Sequence, residues 1–309
     1  MSVRVSYRHL LLVVAAAAFW GCGTVLSKEA LERDIAPLSL LVVELGASSL
    51  LLCLGVLMSA RGRSAMPHRF GRLAALGMLN PGLAYALGLW GLVSISASMS
   101  VLLWAAEPTL ILILAACVLR ERLRGWTIGL VAASSAGVLL VTYQPGASGD
   151  VRGIALTFAA VSACALYTVL TRRLHLADNA TVVVLAQQVT ALVFAIVVAA
   201  GAALAGLSAL DFPDRAATWV LAASSGVVYY GLAFWFYVSG LRHVPASTAG
   251  ALLPLIPVFG LVAGRVTGDQ LASRGWIGAA LIVLATLAVG VRQGRTPAAS
   301  NGAATDTNE

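Results

Sequence analysis

Apolar residues come in blocks of about twenty along this chain, each closed by a short polar or basic stretch. Polar residues are too few within the blocks to mark a wet face, so the pattern is that of helices apolar all round, which are buried or membrane-spanning. A membrane-crossing helix needs about 20 mostly apolar residues to span roughly 30 Å of hydrocarbon. The blocks predict ten such helices, at 9–27, 37–59, 70–91, 95–119, 124–143, 152–171, 180–205, 215–239, 245–267 and 273–291. The expected fold is therefore all-α and polytopic.

Composition agrees with the pattern. Of 309 residues, 60% are hydrophobic and 11% charged, and the mean hydropathy is +0.91. Too little polar surface is available to cover a soluble fold of this size. The net charge of +7 does not point to nucleic acid, because the arginines sit in short clusters between apolar blocks. Positive residues stay on the cytoplasmic side of a membrane. With the N-terminus inside, 14 of the 20 Lys and Arg residues fall in inside loops, including Arg61, Arg63, Arg69, Arg72, Arg120, Arg122, Arg124, Arg172 and Arg173. Both termini are expected in the cytoplasm of a cell-membrane protein, plasma or inner. Residues 1–8 form the N-terminal segment, the first helix reads as an uncleaved span rather than a removed signal, and 296–309 reads as a disordered tail. Cys22, Cys53, Cys117 and Cys164 lie within apolar blocks without metal or disulfide spacing and read as small buried side chains; no metal or cofactor is implied.

The chain also repeats itself. "TVLSK" at 24–28 returns as "TVLTR" at 168–172, an offset of 144 that, carried forward, lays Glu44 over Gln188. Later in each half the offset is 149: "GLVSISAS" (91–98) lies over "GLRHVPAS" (240–247), and Gly77, Gly82, Tyr85 and Pro108 lie over Gly226, Gly231, Phe234 and Pro257. The halves are 9–143 and 152–291, five helices each. An odd number of crossings makes the second copy enter from the opposite face, the inverted-repeat arrangement of many secondary transporters, with a site near the midplane.

Prolines and carboxylates mark that site. Intramembrane ionisable groups cost about 2.5–3.5 kcal/mol each on insertion scales, so they face a cavity or a partner. Glu107 lies about 15–20 Å from the outer end of the fourth helix, near the midplane, and Glu44 about 10 Å inside the second. Two readings of Glu107 stand open: a carboxyl that ties helices together, or one that faces a cavity and meets a proton or a cationic group. Pro108 removes the backbone donor for the Trp104 carbonyl and predicts a bend there; Pro81, Pro254 and Pro257 do the same for Gly77, Gly250 and Leu253. Tyr85, Trp104 and Tyr230 are candidate walls of the cavity, chosen among Trp20, Trp90, Tyr167, Tyr229, Phe234, Trp235 and Tyr237. Asn80 is a candidate hydrogen bonder, and of the adjacent Gln187 and Gln188 one is expected to face the cavity. The candidate substrate-binding set is Glu44, Glu107, Trp104, Tyr85, Asn80, Gln188 and Tyr230. Lys28 either snorkels to the surface or pairs with Glu29 or Glu32. Gly260, Gly264 and Gly268 form a small-residue stripe for close packing or dimerisation.

"FWG" at 19–21 with Lys28, "NPGLAY" at 80–85, "SAS" followed by "EP" at 96–108, "LRERL" at 119–123 and a Gly-rich fifth helix resemble the EamA family of the drug/metabolite transporter superfamily, over about residues 10–291. The resemblance implies ten helices in two inverted repeats, a central cavity and no enzyme activity. It also implies transport of small organic metabolites, often outward, with amino-acid-like compounds favoured. Two departures stand out: Glu44 where many such proteins carry an arginine, and Asp269-Gln270 where a glutamate is expected after the ninth helix. Partners are then a metabolite, the lipid bilayer and candidate coupling protons, in a monomer or homodimer. The alternatives are a channel or facilitator, and a membrane-embedded enzyme, for which His9, His68, His175 and His243 at helix ends supply no intramembrane base.

Overall fold

A computed structural model describes residues 6–33, 35–58, 70–92, 94–95, 103–142, 150–174, 179–207, 210–266 and 273–294. Asp269, Gln270, Gly268, the 96–102 stretch and the 296–309 tail lie outside the described residues. Those described are helical, with no strand longer than an isolated bridge residue among them. The first half comprises α1 (Tyr7–Leu31), α2 (Pro37–Met58), α3 (Phe70–Gly77), a π-helical turn π1 (Met78–Leu83), α4 (Ala84–Leu92), α5 (Glu107–Leu119) and α6 (Gly125–Thr142). The second comprises α7 (Val151–Leu174), α8 (Ala180–Leu204), α9 (Ala216–Gly226), π2 (Val227–Leu232), α10 (Ala233–Leu241), α11 (Ala246–Leu252), α12 (Leu255–Val266) and α13 (Ser273–Gly294).

Among the described residues six helical runs are long and apolar enough to cross a membrane: 7–31, 37–58, 151–174, 180–204, 216–241 and 246–264. Shorter apolar helices occupy 107–119, 125–140 and 276–289. The chain is a multi-pass membrane protein. Lipid cannot satisfy backbone amides, so the spanning segments close their own hydrogen bonds as helices.

The packing is unchanged when the halves are exchanged. The first helix of each half lies against the third pass of the other: α1 on α10, α7 on α4. The second does likewise, α2 on α9 and π2, α8 on α3 and π1, while α6 pairs with α13. Glycines make the contacts close. A methyl on Gly226 would overlap the Glu44 backbone, and one on Gly77 would overlap the Gln187 backbone. Likewise Gly231 faces Leu51 where Gly82 faces Phe194. Both pairs set the second-helix register at an offset of 143, so the counterpart of Glu44 is Gln187, not Gln188. The difference arises in the first helices and not in the loops after them: α1 has 25 residues and α7 has 24, so their starts lie 144 apart and their ends 143 apart, while the connections to α2 and α8 are equal in length. Gly260 packs against Gly21 of α1, and a methyl on Gly21 would stand 2.6 Å from the Gly260 nitrogen.

Prolines act differently from the expected bends. Pro108 sits in the first turn of α5, where its missing N–H costs nothing; the fourth pass is broken there by a turn at 105–106. In the second half the break is a turn at 253–254 between α11 and α12. The carbonyls of Gly250 and Leu253, expected to be left open by Pro254 and Pro257, accept from the amides of Leu253 (3.2 Å) and Ile256 (2.9 Å). Pro81 lies inside π1, after a cis Asn80–Pro81 bond. Yet π2 occurs at the same place in the second half, 149 residues on, with Tyr230 in the position of Pro81. The place of the interruption therefore belongs to the repeat, while the extended backbone of Asn80 (φ −151°, ψ 123°), just before Pro81, gives the first half a kink of its own.

Overpacking at a tight helix crossing costs about 1–3 kcal/mol. Gly226→Leu and Gly77→Leu are expected to lower thermal stability in detergent by amounts in this range or to abolish monodisperse protein. Gly129→Ala, at a glycine with nothing near its Cβ direction, is expected to leave the melting temperature unchanged or slightly raised.

Candidate functional site

The breaks and π turns converge on one cavity between the halves. It holds about 190 Å³ and is lined by Trp20 of α1, Asn80 of π1, Tyr85 of α4, Trp104 and Glu107 before and at the start of α5, Tyr229 of π2 and Tyr237 of α10, with Cys164, Tyr167, Thr168, Phe234, Leu253 and Ile256 filling the rest. No Lys, Arg or His is among these residues. Both irregular turns matter locally: π1 and π2 displace the helix register by one residue, which turns Asn80 and Tyr229 inward.

The wall is rigid because its hydroxyls are already engaged. The Tyr167 hydroxyl donates to Gln187 Oε1 at 2.8 Å, and the Tyr237 and Thr168 hydroxyls lie 3.0 Å apart. Trp20 packs edge-on against Phe234 and Tyr237, with ring centroids 5.2 and 5.1 Å away. What stays unengaged is specific. Nothing among the described residues hydrogen-bonds the Glu107 side chain, and the buried Asn80 Oδ1 and Trp20 Nε1 lack partners.

A second chamber of about 230 Å³ lies toward the Arg-poor end, lined by Thr24, Ser27, Lys28, Leu31, Pro37, Leu40, Leu41, Glu44 and Tyr230. It shares Tyr85 and Tyr229 with the first. Their hydroxyls hydrogen-bond at 2.9 Å, and Tyr230 packs edge-on behind, its ring centroid 4.9 Å from that of Tyr229. This pair is the partition between the chambers. Glu44, buried in α2, accepts from Ser27 of α1 and Ser225 of α9, both at 2.6 Å, so this carboxylate ties three helices across the halves. Lys28 lies 3.9 Å from Glu32 in an exposed pair that contributes little.

At the Arg-rich end the halves are latched. Arg120, in the left-handed conformation (φ 54°), ends α5 and aims Glu121 at the second half. Glu121 accepts from the amides of Ala246 (2.9 Å) and Ser247 (3.1 Å) and from the Ser247 hydroxyl (2.5 Å), capping α11. Within the second half, Arg172 of α7 donates to the carbonyls of Leu241 and Arg242 at the end of α10. Beside it His243 stacks on His9 at 3.9 Å; burial, with His9, Arg242 and Arg172 nearby, holds the His243 pKa below its usual value.

Of the sequence-derived set, Glu107, Trp104, Tyr85 and Asn80 share the central cavity, and Glu44 and Tyr230 the second chamber. Gln188 lines neither. It is fully buried and donates to the Tyr230 carbonyl at 3.1 Å, while Gln187 stands behind Tyr167; the expectation that one glutamine faces the cavity is corrected. Pro108, Pro254 and Pro257 border a third, largely apolar space beside Glu107 and Trp104. Trp90 points outward and Trp235 donates to Thr181. Cys22 and Cys117 are exposed on the protein's surface rather than buried; only Cys164 is buried, at the cavity wall. Sequence reasoning missed Ser27, Ser225, Glu121, Cys164 and Thr168. Ser27 and Thr168 lie within or beside the repeated "TVLSK/TVLTR" motif, and Glu121 within "LRERL", so the repeat itself was the available signal.

Two outcomes follow from this geometry. Opening the tyrosine pair removes a hydrogen bond worth about 1 kcal/mol, or about fivefold in an opening equilibrium. In a chain whose other cysteines are serine, Tyr229→Phe is therefore expected to speed labelling of Cys164 by a small maleimide added at the Arg-poor face about fivefold. Removing the latch with Glu121→Ala leaves two α11 amides unpaired and is expected to lower stability by about 1–3 kcal/mol, read by thermal melting, with Glu121→Asp losing less.

Comparison with known proteins agrees with this architecture. No curated protein matches the chain. Among 29 matching chains of solved structures, one described only as a crystal structure of a protein aligns at 18% identity over 93% of this chain and 98% of its own, with a TM-score of 0.75, which is a likeness of fold. The sequence model of the EamA-like transporter family matches twice, over residues 8–143 and 151–291, and the chain belongs to that family.

Proposed function

We propose that the protein is a secondary transporter that carries a small organic metabolite between the two halves by alternating access. Its ten passes form two five-helix repeats of opposite sense, both termini lie in the cytoplasm of the cell membrane, and export is the favoured direction. The observation that carries this reading is the central cavity itself. It lies between the halves, is walled by aromatic rings, and contains a carboxylate with no hydrogen-bond partner among the described residues; the Tyr85–Tyr229 pair stands between it and the second chamber, and the Glu121 contacts join the halves at the Arg-rich end. A site between two repeated halves, with separable contacts between them toward either end, is what alternate opening requires. Amino-acid-like compounds are the class the family resemblance suggests. Glu107 is the first choice for contact with substrate or a coupling proton, Glu44 the second, and Tyr85, Trp104, Asn80 and Tyr230 shape the path; Gln188 supports Tyr230 from behind.

The test is flux of a metabolite panel in proteoliposomes, with and without a pH gradient. Saturable uptake with counter-substrate exchange is expected for wild type. Glu107→Gln is expected to reduce it at least about tenfold, the equivalent of about 1.4 kcal/mol, and Glu44→Gln by less, because two serines partly satisfy that position. Linear flux without exchange would instead identify a channel, and normal transport by both variants at every pH would remove the carboxylates from the mechanism.

A further inference from the structure

The charge inventory of the central cavity is one-sided. Among the described residues Glu107 is its single carboxylate and has no hydrogen-bond partner, and Asn80 Oδ1 is a second unpaired acceptor. The donors beside them are neutral, among them the unpaired Trp20 Nε1–H and the O–H of Tyr229, which accepts from Tyr85 and keeps its own proton; no Lys, Arg or His is among the lining residues. Lys28, the cation of the neighbouring chamber, is on the far side of the tyrosine pair. A zwitterion seated here would match its ammonium to Glu107 and leave its carboxylate with neutral donors and no cation among the described lining residues. Burying a charge without an opposite charge or several hydrogen bonds is expensive. An ammonium alone meets none of that cost. It would pair with Glu107, use Asn80 as a second acceptor, and lie against the faces of Trp104, Tyr85 and Tyr237, where cations are attracted to aromatic rings.

We infer that the central cavity takes a monocationic amine with an aromatic or hydrocarbon body and no carboxylate, its ammonium held by Glu107 and Asn80 within the aromatic wall. This rests on the transport reading for its biological sense, but the selectivity belongs to the site. Ser27 and Ser225, holding Glu44 in the outer chamber, give the same cation a second carboxylate on the other side of the partition. A cationic solute thus meets an anion both before and after Tyr85 and Tyr229 part.

Three compounds with one body separate the possibilities: phenethylamine (cation), phenylalanine (zwitterion) and 3-phenylpropanoate (anion). Binding to the purified full chain in detergent is measured by calorimetry, and carriage by proteoliposome flux. Phenethylamine is expected to bind saturably and at least about tenfold more tightly than phenylalanine, with 3-phenylpropanoate not competing. Glu107→Gln is expected to lose at least tenfold in amine affinity and Glu107→Asp to recover part of it. Equal or tighter binding of the zwitterion or the anion, no amine binding, or unchanged amine affinity in monodisperse Glu107→Gln would each overturn the inference. The wild-type comparison decides the matter even where a variant fails to fold. Amine that binds but is never carried would sink the transport reading and leave the charge selectivity standing; carriage of phenylalanine with exclusion of the amine would do the reverse.

Discussion

In hydrocarbon a backbone amide or carbonyl without a partner has no water to turn to. That constraint governs this molecule. Helices can be interrupted only where protein or a polar hollow takes over the hydrogen bonding, so the interruptions trace the interior. Here they are the turn ahead of Glu107, its counterpart at 253–254, and the π turns at 78–83 and 227–232. All four adjoin the same cavity. At the second-half break, i to i+3 bonds from Leu253 and Ile256 reclaim carbonyls that the prolines would have stranded. The site is thus the place where regular structure is relinquished twice over, and its polar groups are affordable because they line it.

Close packing supplies the rest of the frame. Without a hydrophobic drive between helices in lipid, association relies on small residues and on hydrogen bonds across helices. Gly77 and Gly226 let the second helix of one half touch the backbone of the third pass in the other. Glu44 adds a polar tie at one of these crossings, where Ser27 and Ser225 converge on a single carboxylate oxygen. Gln187 does the equivalent at the other by accepting from Tyr167. The two carboxylates consequently differ in kind. Glu44 is built into the scaffold and faces a chamber, whereas Glu107 has only the chamber.

Much of this was readable from residue order alone. Helix positions followed from block length, the duplicated architecture from repeated motifs, and Glu107, Trp104, Tyr85 and Asn80 from the conjunction of polar or aromatic residues with proline. Three things were not. A one-residue difference in length between α1 and α7 moved the partner of Glu44 from Gln188 to Gln187, and short apolar sequences carry too little information to register that shift. The second π turn contains no proline, so the residue used as its marker in the first half was missing, although the repeated glycines flank it. Glu121 looked like one charge in a basic loop. Its role as a helix cap depends on Arg120 adopting a left-handed backbone, which residue identity does not announce.

The non-equivalence of Glu44 and Gln187 bears on direction. Glu44 lines the chamber at the Arg-poor end, whereas Gln187 is fully buried behind Tyr167 and lines none of the cavities described. On the proposed transport reading such asymmetry cannot pump, by detailed balance: it adjusts how fast each face loads and discharges, while the ratio of concentrations at rest stays whatever the external gradients dictate. Uphill flow on that reading must be driven by an ion or a second solute, and the unlike halves decide only on which face the exchange lingers.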